Sequence, residues 1–325
     1  MGATGRQLHI DRPLSEMAIN YRPQGFIADM IAPTVPVGNQ SNLYTIWDQG
    51  TKFRRYDTAR SPAKPANVIV PEVSSAAYFA KNYALKTRVP IEDISNADPG
   101  LWGGDRQAKT EFVLDALLLD WEVRLALQIT SGSNVGSYAA VSSGWAIGGG
   151  ASGAQNPCGD IWTAMDNVLY STGYRPNRAV FGIKAWDAFR RNANVRALMY
   201  PHGGAPTPNT PPLVSADAAA NLIGVETILI GGAFYNTAEE GQTQSLSAIW
   251  DDSVLLYYAP QRPSLDRPSF MYSFRWRRPM LPDMSIEVHP YDQKIKAEEI
   301  EAGYYQDEKI TAAALGYLLI DVTSV

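Results

Sequence analysis

The sequence predicts an α+β chain organised around one long helix, and three observations carry that prediction. First, Asp105 to Thr130, DRQAKTEFVLDALLLDWEVRLALQIT, contains no Pro or Gly across 26 residues. It is rich in Leu, Ala, Glu, Lys and Gln, which are good helix formers. Second, residues 42–86 and 286–325 read as runs of extended segments. Third, residues 160–285 alternate short helical and short extended stretches, the pattern of an α/β unit.

The helix would be about 39 Å long at 1.5 Å per residue. Phe112, Ala116, Leu119, Val123 and Ala126/Leu127 recur at helical spacing and are the expected apolar face. Glu111, Asp115 and Glu122 form a separate acidic stripe, expected at the surface. Glu111, Asp115, Asp120, Glu122 and Arg124 argue against a membrane span, because each charge is costly in hydrocarbon.

The chain has 325 residues, enough for two domains or one large one. Its composition, 45% hydrophobic, rules out global disorder. A net charge of −5 gives no reason to expect a general nucleic-acid binder. Cys158 is the only cysteine, so no intrachain disulfide can form, and the chain fits a reducing compartment. The start, MGATGRQLHIDRP, has no apolar signal core. These features predict a soluble protein made in the cytoplasm.

Taken in order, residues 1–41 are broken by Pro13, Pro23, Pro33 and Pro36, with a short helix expected over Leu14 to Asn20. Tyr21, Phe26, Ile27, Met30 and Ile31 need cover, so the stretch is expected to lie as an extended arm on its own chain or a neighbour's. An ordinary loop packed on its own domain is the plain alternative. Residues 42–86 read as a long hairpin, with strands expected at Leu43 to Trp47, Val68 to Val73 and Ala76 to Lys86. Its middle carries Lys52, Arg54, Arg55, Arg60 and Lys64 against Asp57, a net +4. Such a tip is not expected to fold on itself, so it is solvated or touches a partner. Pro90 to Gly104 is a connector with a helical piece near Ile91 to Asn96. After the long helix, residues 131–159 are Gly/Ser-rich and read as a boundary or a mobile loop.

In the α/β unit, helices are expected from Asp160, as cap, to Tyr170, and over Lys184 to Arg191, Asn194 to Met199 and Ser215 to Ile223. Strands are expected at Ala179 to Gly182, Glu226 to Ile230, Leu246 to Trp250, Val254 to Tyr258 and Ser269 to Trp276. The C-terminal part should hold strands at Ile286 to Val288, Ile295 to Gly303 and Tyr317 to Val322, with a helical turn near Lys309 to Ala314. Acids dominate from Asp283 to Glu308, where eight acidic residues face Lys294 and Lys296, a net −6.

The order of these parts resembles the major capsid proteins of tailed double-stranded DNA phages, the Hong Kong 97-type shell fold. DIWTAMDNVLYSTGYRPNRAVFGIKAWDAFRRNANVRALM, residues 160–199, is similar to that family's helix, Gly-Tyr-x-Pro-Asn turn and following helix. EDISNADP at 92–99 and EKITAAALGYLL at 308–319 also resemble it. The resemblance implies an N-terminal arm (1–41), an extended loop (42–86) and a peripheral domain with a spine helix (87–154). An axial domain (155–285) and peripheral C-terminal strands (286–325) follow. It implies a non-enzymatic shell protein of the virion, assembled in the host cytoplasm into hexamers and pentamers around double-stranded DNA. A portal and a cement protein are implied partners. The chain begins almost at the arm, which implies a separate scaffolding protein.

Chemistry-bearing motifs are sparse. His9, His202 and His289 lack ligand spacing. A pairing of Cys158 with His202 as nucleophile and base is disfavoured by the Pro/Gly loop around His202. Gly148, Gly150 and Gly153 fit a dinucleotide motif, but Asn156-Pro157 follows where a helix should open. No cofactor or metal is expected. The candidate residues are intersubunit contacts: Lys52, Arg54, Arg55, Arg60 and Lys64 on the loop, with Glu111, Asp115, Glu122, Glu298, Glu299 and Glu301 as acidic partners. With the tip at +4 and the chain at −5, the remainder carries −9, so one subunit holds both halves of a complementary contact. Two other readings stay open, an encapsulin-like cargo compartment and a two-domain enzyme with a mobile basic flap.

Overall fold

The computed structural model describes residues 25–47, 53–62, 64–70, 73–90, 92, 106–141, 144–145, 156–199, 214–264, 267–278, 284–293 and 296–323. The expected helices at Leu14 to Asn20 and Ile91 to Asn96 lie outside these residues, apart from Ile91's neighbour Glu92.

The chain opens with helix α1 (Ala28–Ile31) and strand β1 (Thr34–Val37). Ile27, Ala28, Ile31 and Ala32 are buried in the chain's own core beside Trp121 and Leu125. From residue 25 onward, the expected arm is therefore part of the body. Strands β2 (Ser41–Trp47) and β3 (Val73–Phe79) form a hairpin, and β4 (Lys81–Pro90) follows. Val68 to Val70 were expected to be strand, yet they stand exposed and outside any ladder, and the first described paired residue after them is Val73.

Helix α2 (Arg106–Thr130) is the predicted long helix. Its phase differs from the expected one. Val113, Leu114, Leu117, Trp121, Leu125, Ala126 and Ile129 are buried, whereas Phe112 and Leu127 are exposed. The helix carries Leu or Ala on most sides, so periodicity alone could not fix which stripe turns inward.

Strand β5 (Ser137–Ala140) arises within the Gly/Ser-rich passage, where a loop was expected. It pairs in parallel with the last strand, Tyr317↔Ser137 to Ile320↔Ala140. Gly136 makes this possible, because a Cβ there would lie 2.6 Å from Ala314 Cα. Helix α3 (Pro157–Thr172) is capped by Asn156, whose side chain accepts from the Gly159 N–H, and not by Asp160 as expected. Gly173, at φ +72, ends it in the left-handed conformation that glycine adopts without strain. Strand β6 (Arg178–Gly182), α4 (Ile183–Arg191), α5 (Ala193–Met199) and α6 (Ala216–Ile223) match the sequence pattern, with Ser215 capping α6. Next come β7 (Thr227–Gly231), β8 (Phe234–Asn236), β9 (Leu246–Ala248), β10 (Val254–Tyr257) and β11 (Met271–Trp276). The chain closes with β12 (Ser285–Asp292), β13 (Ala297–Ile310) and β14 (Gly316–Ile320). The helical turn expected near Lys309 to Ala314 is a short 3-10 turn at Ala313–Leu315.

Two five-stranded sheets result. In the first, β13 is the axis. β4 pairs along one edge, from Lys81↔Gln306 to Pro90↔Ala297. β12 and β11 share the other edge, and β1 adds to β11 in parallel. The second sheet runs β5-β14-β10-β6-β7. Two strands pair away from their neighbours in sequence. β11, expected in the axial unit, belongs to the first sheet. β14, expected among the peripheral strands, belongs to the second. Both placements follow from backbone pairing: β11 finds its ladder on β13, and β14 finds its ladder on β10.

The central strands of the second sheet are apolar on both faces, as strands covered twice must be. Ala179, Phe181, Val254, Leu256 and Leu319 pack under α3, α4 and α6. Val180, Leu255, Tyr257 and Leu318 face the C-terminal half of α2 and the residue 27–32 segment. The N-terminal half of α2 rests on β13 through Val113, Leu114 and Leu117 against Ile300, Ala302 and Tyr304. One helix thus braces both sheets, in agreement with its expected contact with the C-terminal strands.

Candidate intersubunit interface

The loop between β2 and β3 presents the basic residues. Arg54, Arg55, Arg60 and Lys64 are exposed, while Lys52 lies outside the described residues. The tip does fold on itself, contrary to expectation. Asn67 Nδ2 donates to the Asp57 carbonyl at 3.0 Å, and Arg60 Nε donates to the Lys64 carbonyl at 2.7 Å. The Ala59 N–H donates to Asp57 Oδ1 at 3.0 Å. A repulsive basic stretch can close in this way because its own carbonyls and one aspartate supply local acceptors. Beyond the tip, Val68, Ile69 and Val70 are 87%, 50% and 76% exposed, an aliphatic run beside the cations.

The acidic candidates divide. Glu111 and Asp115 sit at the surface of α2, with Glu111 accepting from Gln107 Nε2 at 3.2 Å. Glu122 does not belong with them. It is 0% exposed and cannot meet a neighbour. Its carboxylate accepts from Trp250 Nε1 at 2.6 Å, from the Ala28 N–H at 2.8 Å and from the Ile27 N–H at 3.0 Å. Burial holds its pKa above the usual carboxylate value, and the three donors pull it back in part.

Glu298, Glu299 and Glu301 each have a basic partner within the chain. Glu298 pairs with Arg106 at 2.6 Å. Glu299 meets Lys86 at 2.8 Å and Arg88 at 2.9 Å, and both cations lower its pKa. Glu301 lies 3.3 Å from His289 Nε2. The expected acidic face is thus partly neutralised by β4 and by the start of α2.

On the Glu299 and Glu301 side of the first sheet, opposite to Glu298, Ala84, Gly303 and Ser285 lie abreast on β4, β13 and β12. These small residues floor a cavity of about 230 Å³ walled by Asn82, Tyr305, Arg278, Glu287 and Glu301. Arg278 stacks over Tyr305 at 4.7 Å and keeps one wall in place.

Sequence reasoning missed the Arg124 hub. Arg124 pairs with Glu308 at 2.9 Å and with Asp120 at 2.8 Å, donates to Tyr304 Oη at 3.1 Å, and lies 3.6 Å over the Tyr83 ring. It ties α2 to β13 and β4. Only the i,i+4 pair with Asp120 was visible in the sequence. Replacing Arg124 with Ala should lower unfolding free energy by roughly 3 kcal/mol, since it removes the cation paired with the nearly buried Glu308 carboxylate and leaves it the Gln306 amide as donor. Urea unfolding would measure it, and a change below about 1 kcal/mol would refute this role.

Cys158 is buried in α3, and burial pushes its thiol up to about 11, which removes it as a nucleophile. His9, His202 and the Gly148-Gly150-Gly153 motif lie outside the described residues. Among the described residues no group of three or more His, Cys, Asp or Glu could hold a metal ion, and no helix is long and apolar enough to cross a membrane.

No family model matches the chain. It is 29% identical over 251 residues to the major capsid protein of Pseudomonas phage JBD67, covering 77% of each chain. It is 25% identical over 300 residues to the major capsid protein of Burkholderia phage BcepMu, covering 88% of this chain and 90% of that one. A solved structure of a phage-related protein from Bordetella bronchiseptica superposes with a TM-score of 0.72 at 22% identity, covering 97% and 98% of the two chains. The capsid of cyanophage P-SCSP1u superposes with a TM-score of 0.59 at 10% identity, covering 100% of this chain and 93% of that one.

Proposed function

We propose that this chain, which is similar to the major capsid proteins of two phages and shares its fold with a phage capsid, is a Hong Kong 97-type major capsid protein whose copies close into the hexamers and pentamers of an icosahedral head around double-stranded DNA. The contact is heterologous, one surface of a subunit meeting a different surface of the next, and it closes into rings. The first sheet with α2 forms the periphery of each tile, and the second sheet with α3, α4 and α6 lies towards the ring axis. The role is structural. The loop at 53–70 is the element that reaches a neighbour. A separate scaffolding protein guides assembly in the host cytoplasm, a portal occupies one vertex, and DNA is held by proximity without sequence recognition.

One observation carries the reading. The loop displays exposed Arg54, Arg55 and Lys64 beside three consecutive exposed aliphatic residues, Val68 to Val70. An apolar run next to a charged rim has the composition of a docking surface. On the same subunit, Glu111 and Asp115 on α2, with Glu287 and Glu301 at the sheet cavity, supply acids for it to meet.

The test is electron microscopy of the purified full chain, alone and with its scaffolding protein. Closed icosahedral particles with nuclease-protected DNA in infected cells are expected. A monomer or dimer under every condition would overturn the reading, and particles filled with protein cargo would overturn the DNA-enclosing part of it.

A further inference from the structure

The loop makes one contact that its reach towards a neighbour does not explain. Phe53, which immediately precedes the two arginines, folds back onto its own chain. Its ring lies edge-on to Tyr174, with centroids 6.2 Å apart and planes at 72°. Tyr174 in turn packs on Tyr258 at 5.0 Å. The Phe53 ring also covers Gly173, where a Cβ would come within 2.8 Å of its Cζ. The residue that ends α3 therefore has two reasons to be glycine: its φ of +72, and the ring seated on it.

We propose that the turn at Gly173 and Tyr174 is an intramolecular seat for Phe53, which straps the loop to its own subunit and must be vacated before the loop can engage a second copy of the chain. This rests on the shell-protein reading above.

Three features support it. Phe53 is still 59% exposed, so the contact is partial and can open without disturbing the core. Arg54 and Arg55 follow within two residues, roughly 7 Å of extended chain, so a seated Phe53 keeps both cations beside the end of α3. That helix end carries the negative pole of the macrodipole, which attracts cations. Among its described residues none pairs in a strand between Trp47 and Val73, so the Phe53 contact stands apart from the ladder at the hairpin base.

The experiment compares the full-length wild type with Phe53→Ala and Phe53→Leu. Hydrogen exchange is read at the amides of residues 54–60 in unassembled protein, and light scattering gives the concentration at which shells appear. Edge-to-face aromatic pairs are weak, so the Ala variant should exchange roughly two- to ten-fold faster in the loop and assemble at a correspondingly lower concentration. The Leu variant should fall between. Unchanged loop exchange would overturn the strap. Faster exchange with an unchanged or higher assembly threshold would overturn its role as a brake. If the wild type forms shells and the variants match it, this inference alone fails. If none of the three forms shells, alone or with scaffolding protein, the shell reading fails and takes the brake with it.

Discussion

Replacing Glu122 with Ala should lower the unfolding free energy by roughly 3–5 kcal/mol, the largest single-residue effect expected in the body of the molecule. Three donors would lose their acceptor inside the core: Trp250 Nε1 and the N–H groups of Ile27 and Ala28. The side chain's volume would become a cavity in the middle of the helix that braces both sheets. Denaturant unfolding measures the loss, and protection of the Ile27 and Ala28 amides should fall with it. A change under about 1 kcal/mol would show that the carboxylate is not the clamp described here. Glu122→Gln keeps the volume but points an N–H₂ group at donors, so an intermediate loss is expected. The pH dependence has a definite sign. Burial raises the folded-state pKa of Glu122 above its unfolded value. The proton-linked part of its contribution to stability is therefore fully present below the unfolded value and is lost as pH rises through the folded value, while the hydrogen bonds to the three donors remain. Between the two values the wild type should lose stability relative to Glu122→Gln as pH rises.

Glu122 also marks where the sequence stopped being readable. On a helical wheel it falls in line with Glu111 and Asp115, and nothing local distinguishes it from them. Its donors lie 95 residues before it and 128 residues after it. Glu298 and Glu299 pose the same problem, because their partners Arg106, Lys86 and Arg88 stand about 200 positions away. The local signals held where local chemistry decides. The Pro- and Gly-free run became α2, Gly173 ended α3, and Ser215 capped α6. The sheet assignments of β11 and β14 were not local, since a short apolar strand fits either sheet until its ladder partner is known. The same holds for β5, whose small residues read as a loop until the edge of β14 recruits them. The basic loop was legible as a charge cluster. The turn within it and the aromatic seat of Phe53 were not, because each depends on which carbonyl or ring the chain folds back upon.

Reversing both exposed arginines, Arg54→Glu with Arg55→Glu, should block shell assembly and leave a soluble, folded subunit. Stability should change by no more than about 0.5 kcal/mol, as for surface substitutions away from buried features. Assembly should respond differently, because on the proposed reading the contact recurs at every neighbour in the shell. An exposed ion pair contributes about 0–1 kcal/mol, and reversal replaces attraction with repulsion of similar size. With two residues changed, a loss near 1.4 kcal/mol per contact is reached, a tenfold change in each contact's equilibrium constant. A subunit bound to several neighbours multiplies that factor. Neutral Arg54→Ala with Arg55→Ala should raise the assembly threshold less, since it removes attraction without adding repulsion. Salt supplies an internal check. At about 1 M ionic strength the Debye length falls to about 3 Å, so the thresholds of wild type and reversed variant should converge. The aliphatic run at Val68 to Val70 would then supply most of what remains, because apolar burial is not screened. Wild-type shells from the reversed variant at the wild-type threshold in low salt would remove the basic loop from the interface. Convergence at high salt would identify the defect as electrostatic, separate from any failure of the subunit to fold.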